Sequence, residues 1–276
     1  MKALVASEFY KLFKQGKTYY ALAALFVIEM VILVSAYYQG ATIIDILLDN
    51  LKQSFYFEGT LLNGNLLVYL ILNSLWFNLP LILMIVVSGM LTSEYKDRTV
   101  QAMMLQPVSK WQFMLSKYIV AITFTVVVVV LMALSAFILS YAVFGTGDLI
   151  VYLNALNFFE QTDAVYRLSY AFVSGAFSMV FFSVTSLTLA VFFKEATKTW
   201  IVAALFLILS NVLLKIDFGN SFLNSLFFFK LNDTWQYFFY QDIDWVSIGV
   251  NSVMLVIYTL LFAGLGIYVF NKKDIG

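Results

Sequence analysis

A helix crosses about 30 Å of hydrocarbon with about 20 residues, and it does so cheaply only when they carry no charge. This chain of 276 residues contains six such runs. The first lies between Lys17 and Asp45 and is interrupted once, by Glu29; the second runs from about Leu66 to Leu91 and carries Asn73, Asn78 and Pro80. The third is uncharged from Tyr118 to Gly147, longer than an upright helix needs, so it must tilt or protrude. The fourth fills the gap between Arg167 and Lys194, the short fifth runs from Thr199 to Leu214, and the sixth sits between Asp244 and Lys272. The runs are continuous rather than alternating, which rejects a closed barrel. Charged residues make up 12% of the chain, against about 25% in soluble domains, and a monomer of this size cannot bury so large an apolar excess. The expected fold is therefore all-α. It is a polytopic membrane protein of one domain, 1–276, with spans near 18–38, 66–91, 118–144, 168–193, 199–214 and 247–270.

Six spans put both termini on one side, and the basic residues say which. Lys2, Lys11, Lys14, Lys17, Lys96, Arg98, Lys110, Lys117, Lys194, Lys198, Lys272 and Lys273 fall on the terminal side, while Lys52, Arg167, Lys215 and Lys230 fall on the other. The acidic residues Asp45, Asp49, Glu58, Asp148, Glu160, Asp163, Asp217, Asp233, Asp242 and Asp244 oppose them. A net charge of zero thus conceals a polar split, and the positive-inside rule makes both termini cytoplasmic, with the bacterial inner membrane as the expected location. No cleavable signal peptide is expected, because the first apolar run starts late and reaches full spanning length.

Absences narrow the chemistry. No histidine means no imidazole relay or catalytic triad, and no cysteine means no thiolate or disulfide. Paired intramembrane carboxylates are also missing, so an intramembrane enzyme is poorly supported. With no net charge, nucleic acid is not an expected partner. The phosphate-cradling pattern G-x-x-x-x-G-K-[ST] is absent, and the Gly145-x-Gly147 pair has no third glycine. Energy for any transport must come from a partner or an ion gradient.

Three loops on the far side, about 39–65, 145–166 and 215–246, are acidic and aromatic. The last holds Phe227, Phe228, Phe229, Trp235, Tyr237, Phe238, Phe239 and Tyr240, too apolar for a free loop, and reads as interfacial or partly re-entrant helices. On the terminal side, Lys2 to Lys17 reads as an amphipathic surface helix, with Leu4, Val5, Phe9, Leu12 and Phe13 on one face and Glu8, Lys11 and Lys14 on the wet face. Equally, it reads as a generic positive anchor. Between spans two and three, Ser93 is placed to cap a short helix with Glu94 and Asp97 in its first turn, and Pro107 stops that helix. Two to three turns cannot bury Val100, Met103, Met104 and Leu105 alone. Lipid headgroups, the rest of the chain or a soluble partner must receive them.

That loop carries a resemblance. Glu94, Tyr95, Lys96, Thr99, Pro107, Val108, Ser109, Lys110 and Lys117 follow the order of the second-to-third-span loop of ABC-2-type transporter permeases. Two glycines of the pattern are replaced, by Arg98 before the threonine and by Ser116 before the lysine. The Glu8…Lys11 helix, the six spans and the closing Phe270-Asn271-Lys272-Lys273-Asp274 are similar to the family too, so the resemblance covers the whole chain. It implies that the loop helix, through Glu94, Tyr95, Lys96, Arg98, Thr99 and Pro107, docks on a separate cytoplasmic ABC ATPase that binds ATP and Mg. It also implies that two permease subunits, copies or paralogues, face each other. No cofactor is expected in this chain itself.

Inside the membrane, Glu29 is the one clear ionisable residue. It is either a pathway or subunit-contact group or a carboxyl hydrogen-bonded to a neighbour such as Ser35. Asn73, Ser74 and Asn78 either line a cavity or bond between helices and to backbone freed by Pro80, the second being favoured two to one. Ser183, Thr185, Ser186 and Thr188 pose the same choice. The leading functional expectation is the membrane subunit of an ATP-driven exporter of an amphipathic or antimicrobial peptide or another hydrophobic compound. The alternative is a non-transporting immunity or assembly component that binds a peptide or lipid.

Overall fold

The computed structural model describes residues 1–52, 62–153, 155–214 and 227–273. Lys215, Asp217, Glu58 and Asp274, used above in the charge count and the closing motif, lie outside the described residues. The elements are α1 (Lys2–Lys14), α2 (Gly16–Lys52), α3 (Gly64–Lys96), α4 (Thr99–Met104), α5 (Lys110–Phe144), β1 (Leu149–Leu153), β2 (Ala155–Phe159), α6 (Gln161–Phe193), α7 (Ala196–Leu214), α8 (Phe228–Leu231), a 3-10 turn (Thr234–Phe239) and α9 (Trp245–Lys272). Six of the described helices are long and apolar enough to cross a membrane: α2 through Gly40, α3, α5, α6, α7 and α9. The chain is a polytopic all-α membrane protein.

The burial pattern fits a lipid solvent. Large apolar side chains point outward, among them Val31, Val130, Leu131, Leu209 and Leu260, each more than half or about half exposed. Hydroxyls point inward. Helix α6 occupies the centre against α3, α5, α7 and α9, and its Ser183, Thr185, Ser186 and Thr188 are all fully buried. Thr125 donates to Ser183 at 2.7 Å, Tyr118 and Thr188 share a 2.8 Å bond, and Thr188 donates to the Phe262 carbonyl at 3.0 Å. The cluster thus knits α5, α6 and α9 together rather than lining a path. Gly266 on α9 is required here: any Cβ would fall on the Tyr118 hydroxyl.

Proline does not break α3, which runs through Pro80. Asn78 donates its amide to the Ser74 carbonyl one turn back, not to the Trp76 carbonyl that Pro80 leaves free. Asn73 and Ser74 lie on the outward surface of α3. Glu29 is buried, and its partner is Ser135 of α5 at 2.8 Å rather than Ser35.

On the face away from the termini, β1 and β2 form an antiparallel hairpin, an element the all-α reading did not include. Gly145 takes φ +69° to end α5, and its carbonyl accepts from Gly64 at the start of α3. Residues 227–240 fold back onto the bundle, burying Phe229, Leu231, Trp235, Phe238 and Phe239. Arg167 of α6 holds this segment, donating to the Phe238 and Tyr240 carbonyls at 2.8 Å each, bonding Asp163 at 2.7 Å and covering the Phe159 ring.

Candidate functional site

On the terminal face three helices bring four charges into a closed ring. Glu8 and Lys11 sit one turn apart on α1, a spacing that puts them on one side. Glu94 comes from the last turn of α3 and Lys117 from the third turn of α5. The Lys11 ammonium lies 2.7 Å from Glu8 Oε1 and 2.8 Å from Glu94 Oε1. The Lys117 ammonium lies 2.6 Å from Glu8 Oε2 and 2.9 Å from Glu94 Oε2. Each carboxylate therefore gives one oxygen to each lysine. The ring carries no net charge.

Burial sets its energetics. Lys117 is fully buried, Glu8 and Glu94 nearly so, and the Lys11 side chain at the rim keeps 36% of its surface. Lys117 also donates to the Met90 carbonyl at 3.2 Å and lies over the Phe113 ring. Removing such charges from water costs several kcal/mol per ion, offset only when every lone pair and proton finds a partner. Burial pushes the Glu8 carboxyl up, but the Lys117 and Lys11 charges and hydrogen bonds outweigh it and hold the carboxyl below its usual range. Lys11 is shifted in the complementary sense: burial lowers it, and bonds to Glu8 and Glu94 carry it above the usual lysine value. Beside the ring, Lys17 of α2 donates to Ser93 at 2.8 Å and lies across Gly89, where a side chain would collide with it.

The ring adjoins α4 along the chain, since Glu94 stands five residues before Thr99, where α4 begins. Helix α3 does not stop at Ser93; it continues to Lys96, so Ser93 and Glu94 belong to its last turn and cap nothing. Glu8 likewise leaves the wet face expected for it and points into the protein, because Lys117 supplies the buried cation it needs. After Asp97 the chain turns on Arg98, at φ 55°, and Thr99 donates back to the Glu94 carbonyl at 3.4 Å. Val100 of α4 is buried and Met103 and Met104 are half-buried against the chain's own core, whereas Leu105 is 90% exposed. Lys96, Arg98, Thr99 and Pro107 are exposed around it. Tyr95 is half-buried, with its ring under the Lys194 ammonium.

Of the residues singled out in the sequence, the fold brings Glu8, Lys11 and Glu94 together and sets Tyr95, Lys96, Arg98, Thr99 and Pro107 around α4. Glu29, Asn73 and Asn78 lie apart, along α2 and α3. Sequence reasoning missed that Lys117 closes the ring, since it counted that lysine with the basic flank. It also missed a second clasp: Lys110 donates to the Lys273 carbonyl at 2.8 Å, and Lys273 donates to the Val191 carbonyl at 2.7 Å, tying the terminal ends of α5, α6 and α9. Among the described residues, no cluster of three or more acidic side chains is placed to hold a metal.

Residues 4–211 match the family model described as ABC-2 family transporter protein. The chain belongs to the ABC-2 transporter family. It is also similar to the uncharacterized protein YhcI of Bacillus subtilis (strain 168), at 23% identity over 204 residues, covering 69% of this chain and 63% of that protein. The chain thus spans less than two thirds of the length of the curated relative it matches. Within the family's loop pattern the geometry explains one departure. Arg98 stands where the pattern has glycine, and the turn there is left-handed, the conformation glycine adopts without steric cost. Membership makes the chain a membrane subunit of an ABC transporter, the transmembrane transport component rather than the hydrolase.

Proposed function

We propose that this subunit works as the permease of an ATP-driven exporter, with α4 as the element that receives motion from a separate cytoplasmic ABC ATPase. The observation that carries the reading is the buried Glu8–Lys11–Glu94–Lys117 ring at the end of α3 that leads into α4. A six-residue helix has no stability of its own, so force applied to it reaches the spans only through what anchors it. Its anchor is the end of α3, and the ring ties that end, through Glu94, to α1 and α5. Leu105, left bare beside exposed basic residues, is the apolar contact a partner would cover. Both termini are then cytoplasmic, in line with the basic excess on that face, and the ATPase supplies the ATP and Mg site.

A second permease copy or a paralogue completes the path. Asn73 and Ser74 stand exposed on the outward face of α3, at a depth where amides facing lipid lack partners. The apolar interior suits an amphipathic or antimicrobial peptide or another hydrophobic compound. The alternative, a non-transporting component that binds a peptide or lipid, predicts no response of ATP hydrolysis to this chain. The test is photocrosslinking from Leu105 together with ATPase assays of the complex in lipid. Crosslinks to the ATPase, and hydrolysis that loses its dependence on the permease when Glu94 and Arg98 become Ala, support the exporter. A stable complex with unchanged hydrolysis favours the alternative.

A further inference from the structure

The hairpin on the face away from the termini has two unlike sides. In its register, with Leu149 opposite Phe159 and Ile150 opposite Phe158, side chains alternate between the bundle and the outside. Leu149, Val151 and Phe159 are buried inward, and the Arg167 guanidinium covers the Phe159 ring. The outward row is therefore Ile150 and Tyr152 on β1 with Leu156 and Phe158 on β2. Ile150 faces Phe158 and Tyr152 faces Leu156, so the four make one continuous apolar patch. Tyr152 is 65% exposed and Phe158 59%. One step further along the same register, at the open end of the hairpin, Asp148 and Glu160 follow on the same side, both exposed. The outward face thus runs from apolar to anionic.

The charge around it is one-sided. Asp242 and Asp244 are also exposed on this side of the molecule. The basic side chains described there are both taken: Arg167 by Asp163 and the Phe238 and Tyr240 carbonyls, Lys230 by the Leu214 carbonyl. Asp148 accepts from the Gln161 backbone N–H at 2.9 Å, and neither it nor Glu160 meets a basic side chain among those described. Carboxylates as exposed as these are ionised at neutral pH. An anionic lipid surface repels them, and a second copy meeting the same face brings carboxylates rather than cations. A chain that carries both apolar and basic side chains matches both halves.

We propose that the outward face of the hairpin docks a cationic amphipathic peptide. Its apolar side chains lie on Ile150, Tyr152, Leu156 and Phe158, and its basic side chains reach Asp148 and Glu160. The two exposed rings supply contact area at low entropic cost, and the carboxylates supply attraction and orientation. The inference rests on the exporter reading for the later fate of the peptide; capture itself is tested without an ATPase.

The full chain in nanodiscs of neutral phosphatidylcholine is titrated with a short fluorescein-labelled peptide of leucine and lysine, against empty discs. Anisotropy should show binding that requires the protein and weakens as salt rises. The same peptide with glutamate in place of lysine should not bind. Asp148→Asn with Glu160→Gln should weaken binding about ten-fold at low salt and remove most of its salt dependence. Tyr152→Ser with Phe158→Ser should also weaken it about ten-fold, but leave the salt dependence in place. These side chains point outward, so both double variants should keep the wild-type thermal midpoint; should one not fold, the other still decides. Binding no stronger than to empty discs, equal binding of the acidic peptide, or a folded double variant that binds like wild type would overturn the proposal. So would a photocrosslinker in place of Tyr152 that captures lipid or a second copy which the peptide does not displace. If peptide binding fails while hydrolysis by the complex still depends on Glu94, this docking site falls and the exporter reading stands.

Discussion

The two ends of the bundle are closed by different physics. On the terminal face, four side chains neutralise one another in a ring, and every member depends on the identity of the others. On the opposite face, a single guanidinium reaches backbone carbonyls of a folded-back segment that also packs through aromatic pairs, Tyr170 stacked on Phe238 at 5.8 Å and Tyr69 edge-on to Phe239 at 4.9 Å among them. Carbonyls are present whatever residue occupies the position, and aromatic contacts are graded. The first closure therefore fails abruptly when one partner is lost, and the second loosens by degrees.

The sharpest way to break this contrast is to remove one ring member. Lys117→Met leaves Glu8 and Glu94 without their buried cation and should cost about 3–5 kcal/mol, read as a fall in thermal midpoint in detergent. Lys117→Gln combined with Glu8→Gln should recover a good part of that loss, because the stranded charge goes with its partner. If the single and double variants are equally unstable, the ring is not the unit described here. The ring also fixes a pH dependence. Glu8 is held below its unfolded value, so its contribution is full above the ordinary carboxylate range and disappears as pH falls through its lowered value. Lys117→Met should abolish that acid limb of the stability profile.

Gly266→Ala tests the packing between the two ends. The new methyl falls on the Tyr118 hydroxyl, and overpacking of this kind costs about 1–3 kcal/mol. Tyr118→Phe in the same chain makes room and should restore stability; failure to restore it would place the strain elsewhere. Arg167→Lys keeps the charge but loses the fork to two carbonyls, so a loss of about 1–2 kcal/mol is expected. It should show as faster amide exchange over 227–241 with little change at α4. The smallest effect is Arg98→Gly. Relieving a left-handed arginine should raise stability by about 0.5–1 kcal/mol, and a calorimetric midpoint that falls instead would mean Arg98 makes a contact worth more than its strain.

What could be read from the sequence follows the same division. Six apolar runs announce themselves because lipid imposes a length and a composition on each, and the α4 loop stood out by its order of Glu, Tyr, basic residue, Thr and Pro. For the hydroxyl stripe of α6 the sequence left a choice between a cavity and packing, with packing favoured for a general reason: hydroxyls in hydrocarbon seek neighbouring helices. Glu8 was misplaced for an equally general one. An amphipathic pattern assigns charge to water, and only a partner 109 residues away, Lys117, reverses that assignment. The hairpin at 149–159 was hidden because Leu149, Val151 and Phe159 bury as they would in any apolar loop. Ser93 looked like a helix start because Glu94 and Asp97 follow it, yet the α3 hydrogen-bond ladder simply runs on past it.

The most direct test of the central claim is ATP hydrolysis by the assembled complex in lipid, compared between wild type and the conservative Glu94→Gln variant. Glu94→Gln keeps the shape of the side chain and removes one charge from the ring at the end of α3. The account predicts a complex that still assembles and a chain that still folds, but hydrolysis that no longer responds to the permease. A variant that folds, assembles and couples like wild type would contradict it.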